Sequence, residues 1–156
     1  MPLLIDIKPG DKVIINGAVI DNSCNSTKLF VHNQAAILRG KEVLSEDDCG
    51  TPAARAYFAL QCAYIFADKH DEYLTKFDKL LDDYLAACPS GKPIGEQIRK
   101  EIKDEKLYRA LKAAQKLIAH EGDILKSMQK KVTEVADSIP ESESSSAETP
   151  ALTPPR

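Results

Sequence analysis

The side chains in this sequence that could break or make bonds are spread too thinly to act together. Cys24, Cys49, Cys62 and Cys88 show no C-x-x-C spacing that would place two thiolates on one metal, and His32, His70 and His120 form no helical metal pair. No metal is expected, and the cysteines read as reduced thiols of a cytosolic chain. A nucleophilic mechanism needs Ser or Cys on a strained turn or beside a base; neither G-x-S-x-G nor a local cysteine signature occurs. Phosphate cradles are missing as well. Neither G-x-x-x-x-G-K-S/T nor G-x-G-x-x-G after a strand is present, and Ser90-Gly91-Lys92 lacks the loop and strand of a P-loop. Asp47-Asp48 and Asp82-Asp83 read as a loop and a solvated helix face. No catalytic residue and no cofactor are expected.

What remains is the chemistry of recognition, carried by Lys and Arg. Residues 92–131 hold eleven basic against six acidic side chains and form a basic island, with Arg99, Lys100, Lys103, Lys106, Arg109, Lys112 and Lys116. Such a patch can take phosphates, since counterion release drives nonspecific nucleic-acid affinity. The preferred reading of this island is blander. Lysines line the solvent side of most amphipathic helices, and Asp78, Asp82 and Asp83 of the preceding helix can neutralise them internally. The net charge of −3 argues against a broad coating of DNA and leaves room for a local RNA patch.

The elements that must position these residues follow from periodicity. Leu3–Ile7, Val13–Asn16, Ala18–Ile20, Leu29–His32 and Ala36–Arg39 read as strands, divided by Pro9-Gly10-Asp11, the hairpin-forming Asn16-Gly17 and the polar Asp21-Asn22-Ser23. A small antiparallel sheet is expected over residues 1–46. From Thr51-Pro52, a capping hydroxyl followed by a first-turn proline, the period becomes helical, and residues 47–131 read as a helical region. The first helix runs to about Ala67, apolar nearly all round and therefore central. A second spans about Asp71–Cys88, with Leu74, Phe77, Leu81, Tyr84 and Cys88 on one face, and Pro89-Ser90-Gly91-Lys92-Pro93 stops it. A third region covers Ile94 to about Lys131, broken near Asp104. Strands followed by helices, without alternation, give an α+β fold. Residues 132–156, with Glu141-Ser142-Glu143-Ser144-Ser145-Ser146 and prolines at 140, 150, 154 and 155, read as a mostly disordered tail. No apolar run approaches the roughly 18–20 residues of a membrane span, and the start lacks a signal-peptide pattern, so a cytoplasmic protein is expected.

Pro9-Gly10-Asp11-Lys12 followed by Ile15-Asn16-Gly17-Ala18-Val19-Ile20 resembles the opening of the FlbT family of flagellum biosynthesis repressors. Ile37-Leu38-Arg39 is similar to that family's final strand, Thr51-Pro52-Ala53 with Arg55-Ala56-Tyr57-Phe58 to its first helix, and Tyr108-Arg109-Ala110-Leu111-Lys112 with Leu117-Ile118 and Glu121 to its last. The resemblance covers about residues 3–125. Gly40 stands where a charged residue is common, Ala54 where a basic one is, and His120 where tyrosine is; the loss at Ala54 weakens a phosphate-binding edge shared with Arg55. The resemblance implies a post-transcriptional regulator that binds the 5′ untranslated leader of flagellin mRNA and lowers its translation or lifetime, so a repressor is expected. It also implies FlaF and flagellin as candidate protein partners. A protein-binding module, acting as a flagellin chaperone or a docking partner of FlaF through the helices, is the alternative.

The short strands also resemble the sheet of the carbon storage regulator CsrA family. There an arginine within a segment that Ile37-Leu38-Arg39-Gly40-Lys41-Glu42 matches contacts RNA, and a homodimer forms by strand exchange. That likeness implies an RNA contact at Arg39 and a homodimer through the N-terminal sheet. Strand alternation puts Lys28, Phe30 and His32 on one face and Ile37, Arg39 and Lys41 on one face of the next strand. The RNA-binding candidates are Lys12, Lys28, His32, Arg39, Lys41 and Arg55, with Arg99, Lys103, Arg109 and Lys112 as a secondary patch. Phe30 could stack a base if it faced outward; as an apolar aromatic in a small sheet it is expected to point inward, against the helices.

Overall fold

The computed structural model describes residues 1–138; the expected acidic, proline-rich tail from residue 139 onward lies outside them. Five strands precede four helices, the α+β order expected from the change of period. The chain divides into one unit, Met1–Asp123, and a second that begins at Ile124.

The strands form two antiparallel sheets where one was expected. In the first, β1 (Leu3–Ile7) pairs with β4 (Thr27–Val31), so that Leu4 opposes Phe30 and Asp6 opposes Lys28. In the second, β2 (Lys12–Ile15) lies between β3 (Ala18–Asp21) and β5 (Ile37–Arg39). Asn16-Gly17 turns β2 into β3 with φ of 49° and 89°, both in the left-handed region that a tight primed hairpin turn requires. The Asn22 amide ties the following loop down, donating to Ile7 O at 2.8 Å and Asn25 O at 2.7 Å.

Alternation decides which side chains each sheet turns inward. Ile5, Ile7 and Val13 are buried together with Ile15, Leu29, Val31 and Ile37 around them, so the sheets share a small core of their own. Ile14 and Leu38 point the other way and join the helical core. Sheet β3–β2–β5 is therefore a middle layer with an apolar residue on each side.

Helix α1 (Pro52–Ile65) is the central helix, buried on nearly every side. Thr51 Oγ1 accepts the Ala54 N–H at 3.3 Å as its N-cap, and Glu121 Oε1 accepts the Ala53 N–H at 3.2 Å. A buried carboxylate thus caps the helix from across the fold. Buried Gln61 accepts from Leu44 N–H and donates to Leu44 O, both at 2.9 Å, which straps the link between sheet and helices onto α1. Helix α2 (His70–Ala87) buries Phe77, Leu81 and Tyr84. His120 bridges to it, with Nδ1 2.9 Å from the Tyr84 hydroxyl and Nε2 3.0 Å from Ser90 Oγ.

Helix α3 (Lys92–Lys103) ends where the break near Asp104 was expected. Glu105 takes φ 59°, its N–H donates to Ile102 O at 3.0 Å, and the Lys106 N–H reaches Glu101 O at 2.8 Å, the hydrogen-bond pair of a Schellman stop. Helix α4 (Leu107–Ser138) buries Ala110, Leu111, Ala113, Ala114, Leu117 and Glu121. It continues past the expected end near Lys131, through residues 132–138. Nothing in Lys131–Ser138 interrupts a helix; the first proline after it is Pro140.

Candidate nucleic-acid interface

Register brings three of the candidate cations to one end of the β3–β2–β5 sheet. Val13 opposes Arg39, so Lys12, one residue before Val13, lies at that end too, but on the opposite face, the one that carries Ile14. Lys41 falls in the 3-10 turn Gly40–Glu42, where Gly40 takes φ 55°, so the strand alternation expected to set Arg39 and Lys41 on one face stops at Arg39. All three are exposed. Asp21 opposes Lys12 across β3 and offsets part of its charge. His32 follows β4 and lies at the other end, beside the connection from β4 to β5.

The remaining candidates are placed less favourably. Lys28 stands on the outer face of β1–β4 opposite Asp6. Arg55 is exposed on α1, with its Nε donating to Cys49 O at 3.3 Å. Arg99 is held by Asp78 at 3.3 Å and Asp82 at 2.6 Å, which raises its pKa, the hydrogen bond it donates to Asp82 contributing most. Lys112 Nζ lies 2.6 Å from Glu42 Oε1. Two members of the secondary patch thus meet carboxylates inside the fold, while Lys103 and Arg109 stay exposed.

Phe30 is the clear reversal. It is 62% exposed and stands outward beside Leu4, because Leu29 and Val31 take the inward positions against the small core. The expectation that Phe30 packs on the helices is wrong by one residue of phase.

Glu42 joins the sheet end to the helices. Its Oε1 accepts from the Tyr108 hydroxyl and Lys112, each at 2.6 Å, its Oε2 accepts from the Arg39 N–H at 3.3 Å, and its carbonyl accepts the Tyr57 hydroxyl at 2.6 Å. Burial works against the carboxylate, but the hydrogen bonds from Lys112, Tyr108 and Arg39 outweigh it and hold the carboxyl below its usual range. Burial pushes the Tyr57 phenol up to about 12, so it stays a donor. Burial also raises the thiol pKa of Cys49 and Cys62, which keeps both protonated and poor nucleophiles. Among the described residues no group of three His, Cys, Asp or Glu gathers to hold a metal, and no helix is long and apolar enough to cross a membrane.

Beside this junction run two clefts. One, of about 800 Å³, lies between the connection His32–Ile37 and the end of α1 at Tyr64 and Ile65. The other, of about 330 Å³, contains Arg39, Glu42, Tyr64 and Tyr108. They share Leu3, Ala35, Ile37 and Tyr64 and so adjoin one another.

The model of the family described as "Flagellar protein FlbT" matches residues 3–125. The chain belongs to the FlbT family. It is 38% identical over 122 residues to the "Probable flagellum biosynthesis repressor protein FlbT 1" of Bradyrhizobium diazoefficiens, covering 78% of this chain and 83% of the relative. It is 32% identical over 128 residues to the protein of the same description, without the numeral, from Rhodopseudomonas palustris, covering 80% and 98%. With the "Flagellum biosynthesis repressor protein FlbT" of Caulobacter vibrioides it shares 29% over 127 residues, covering 80% and 90%. No solved structure matches. The names of these relatives place the FlbT-family chain among regulators of flagellum synthesis.

Sequence reasoning did not single out Tyr64, Asn33 or Gln34. Tyr64 lies in a helix that reads as apolar nearly all round, and its place at the last turn, where a core helix meets solvent, was the available clue. Asn33-Gln34, two amides between consecutive strands, was the other.

Proposed function

We propose that this FlbT-family protein represses flagellin synthesis in the cytoplasm by binding the 5′ untranslated leader of flagellin mRNA, with no chemistry of its own. A bound protein would block ribosome loading or expose the transcript to a nuclease. The single observation that favours RNA over a purely protein partner is the pair of exposed cations, Arg39 and Lys41, where β5 ends, with exposed Lys12 on the other face of the same sheet end. Acidic α2 and basic α3, the helices a protein-docking role would use, are partly joined to each other through Arg99, Asp78 and Asp82.

Affinity of the purified protein for the leader, measured across a salt series, tests this. Log affinity should fall with log salt at a slope of roughly −0.7 for each phosphate neutralised. Replacing Arg39 and Lys41 together with alanine should flatten that slope by roughly 1.4. A flat response in the unaltered protein, with and without FlaF, overturns the reading.

A further inference from the structure

We propose that the cleft between the His32–Ile37 connection and Tyr64 takes unpaired bases of a single RNA strand, whose backbone continues past Arg39. The inference rests on the RNA-binding reading and assigns its base-contacting surface.

Size and continuity come first. Pockets for small ligands run from about 300 to 1,000 Å³, and the two adjoining clefts, about 800 and 330 Å³, fall inside that range. They adjoin along Leu3, Ala35, Ile37 and Tyr64, so a strand in one need cross only these side chains to reach the other. A strand laid along them passes from His32 at one end to Arg39 at the other, with a cationic or protonatable side chain at each.

The lining has the chemistry that unpaired bases need. Bases are held by stacking on aromatic rings and by hydrogen bonds to their exposed edges. Tyr64 and Tyr108 have ring centroids 6.2 Å apart and planes inclined by 46°, so they are splayed and not stacked on one another. Asn33 and Gln34 present amides, each with donor and acceptor, and neither makes a side-chain hydrogen bond among the described residues. Their connection is nonetheless held in place. Asn16 N–H donates to Ala36 O at 2.9 Å, and Asn16 Oδ1 accepts from Ala36 N–H at 2.8 Å.

Electrostatics permit an anion here only because Glu42 is neutralised. Its carboxylate would repel a phosphate beside Arg39, but Lys112 Nζ at 2.6 Å cancels that charge locally. The same ammonium lies 5.4 Å from the Tyr108 ring centroid, and the Tyr108 hydroxyl is bound to Glu42, so the ring is fixed in position before any ligand arrives.

The outer face of β1–β4, with Phe30 and Lys28, is the competing surface. It offers one aromatic ring flanked by Leu4, and its lysine faces Asp6. Among the described residues its strand positions carry no amide side chain.

Flagellin leader RNA carrying 4-thiouridine, irradiated on the full-length protein and mapped by mass spectrometry, discriminates the two surfaces. Crosslinks should fall in residues 32–37 and at Tyr64. The pair Asn33→Ala and Gln34→Ala, both on an exposed connection, should weaken leader binding fivefold or more while leaving the salt slope unchanged. Tyr64→Leu should do the same if it folds, and Phe30→Ala should leave affinity within twofold. Crosslinks on β1–β4, or full affinity in the Asn33/Gln34 variant, overturn the cleft while RNA binding itself stands. If the unaltered protein binds no leader RNA at all, the parent reading fails along with it.

Discussion

Glu42 carries more of the contact between sheet and helices than its sequence context suggests, because one carboxylate serves a phenol, an ammonium and a backbone N–H at once. Glu42→Ala should lower stability by about 1–2 kcal/mol, the cost of stranding Tyr108 and Lys112 beside a lost acceptor. The pH dependence has a definite shape. The folded-state pKa of Glu42 is depressed from 4.5, so its contribution is complete above about pH 4.5 and disappears as pH falls through the lowered value. Lys112 is raised from 10.5, first by its hydrogen bond with Glu42, so its share is complete below about pH 10.5 and disappears as pH rises through the raised value. The difference in denaturation free energy between the protein and its Glu42→Gln variant should form a plateau between those limits and shrink outside it. A difference that grows below pH 4 would contradict the assignment. Glu121, only 7% exposed, follows the logic of a helix cap: Glu121→Ala should cost about 1–2 kcal/mol in a urea melt, and Glu121→Gln, which keeps an acceptor for Ala53 N–H, clearly less.

At the scale of elements, what was readable in advance was what is local. Asn16-Gly17 announces its hairpin because a primed turn needs positive φ at two successive residues, and Thr51-Pro52 announces a helix because one residue caps and the next has its φ preset. Gly17 is further constrained, since a Cβ there would lie 3.2 Å from the Phe66 ring; Gly17→Val should cost about 2 kcal/mol or more in a thermal melt. Gly95 makes the matching case between helices. A Cβ there would fall 2.8 Å from Leu85 Cδ1, so Gly95→Val should push α3 off α2 and cost about 2 kcal/mol, whereas Gly95→Ala should cost less because Leu85 is flexible. What could not be read was pairing across distance. The alternation of Lys28, Phe30 and His32 was plain, but which side faced the core depended on Ile5 and Ile7, more than twenty residues away and in a different sheet from Val13. The candidate site shows the same limit: Arg39 was legible from its strand, Lys41 was not, because Gly40 ends the alternation, and Tyr64 comes to line a cleft only through the distant His32–Ile37 connection.

For the whole Met1–Asp123 unit, the decisive residues are Ile14 and Leu38. Both lie in the β3–β2–β5 sheet, yet both are buried in the helical core with Tyr57, Leu60, Phe77 and Leu117. The small core of Ile5, Ile7 and Val13 is limited, and a two-stranded sheet such as β1–β4 is marginal on its own. Sheet and helices should therefore unfold together. Truncating Leu38 to alanine removes a fully buried side chain and should cost about 2–5 kcal/mol. If the unit is cooperative, helix content by circular dichroism and amide exchange in β1, β2 and β4 should lose protection at one and the same urea concentration, which the Leu38→Ala variant lowers for both probes equally. Leader binding should vanish at that midpoint too, because its proposed cleft has one wall in the sheet and the other in α1. A variant whose strands lose protection while its helices persist would mean that the layers are energetically separate, and the cleft would then open at a lower denaturant concentration than the helices.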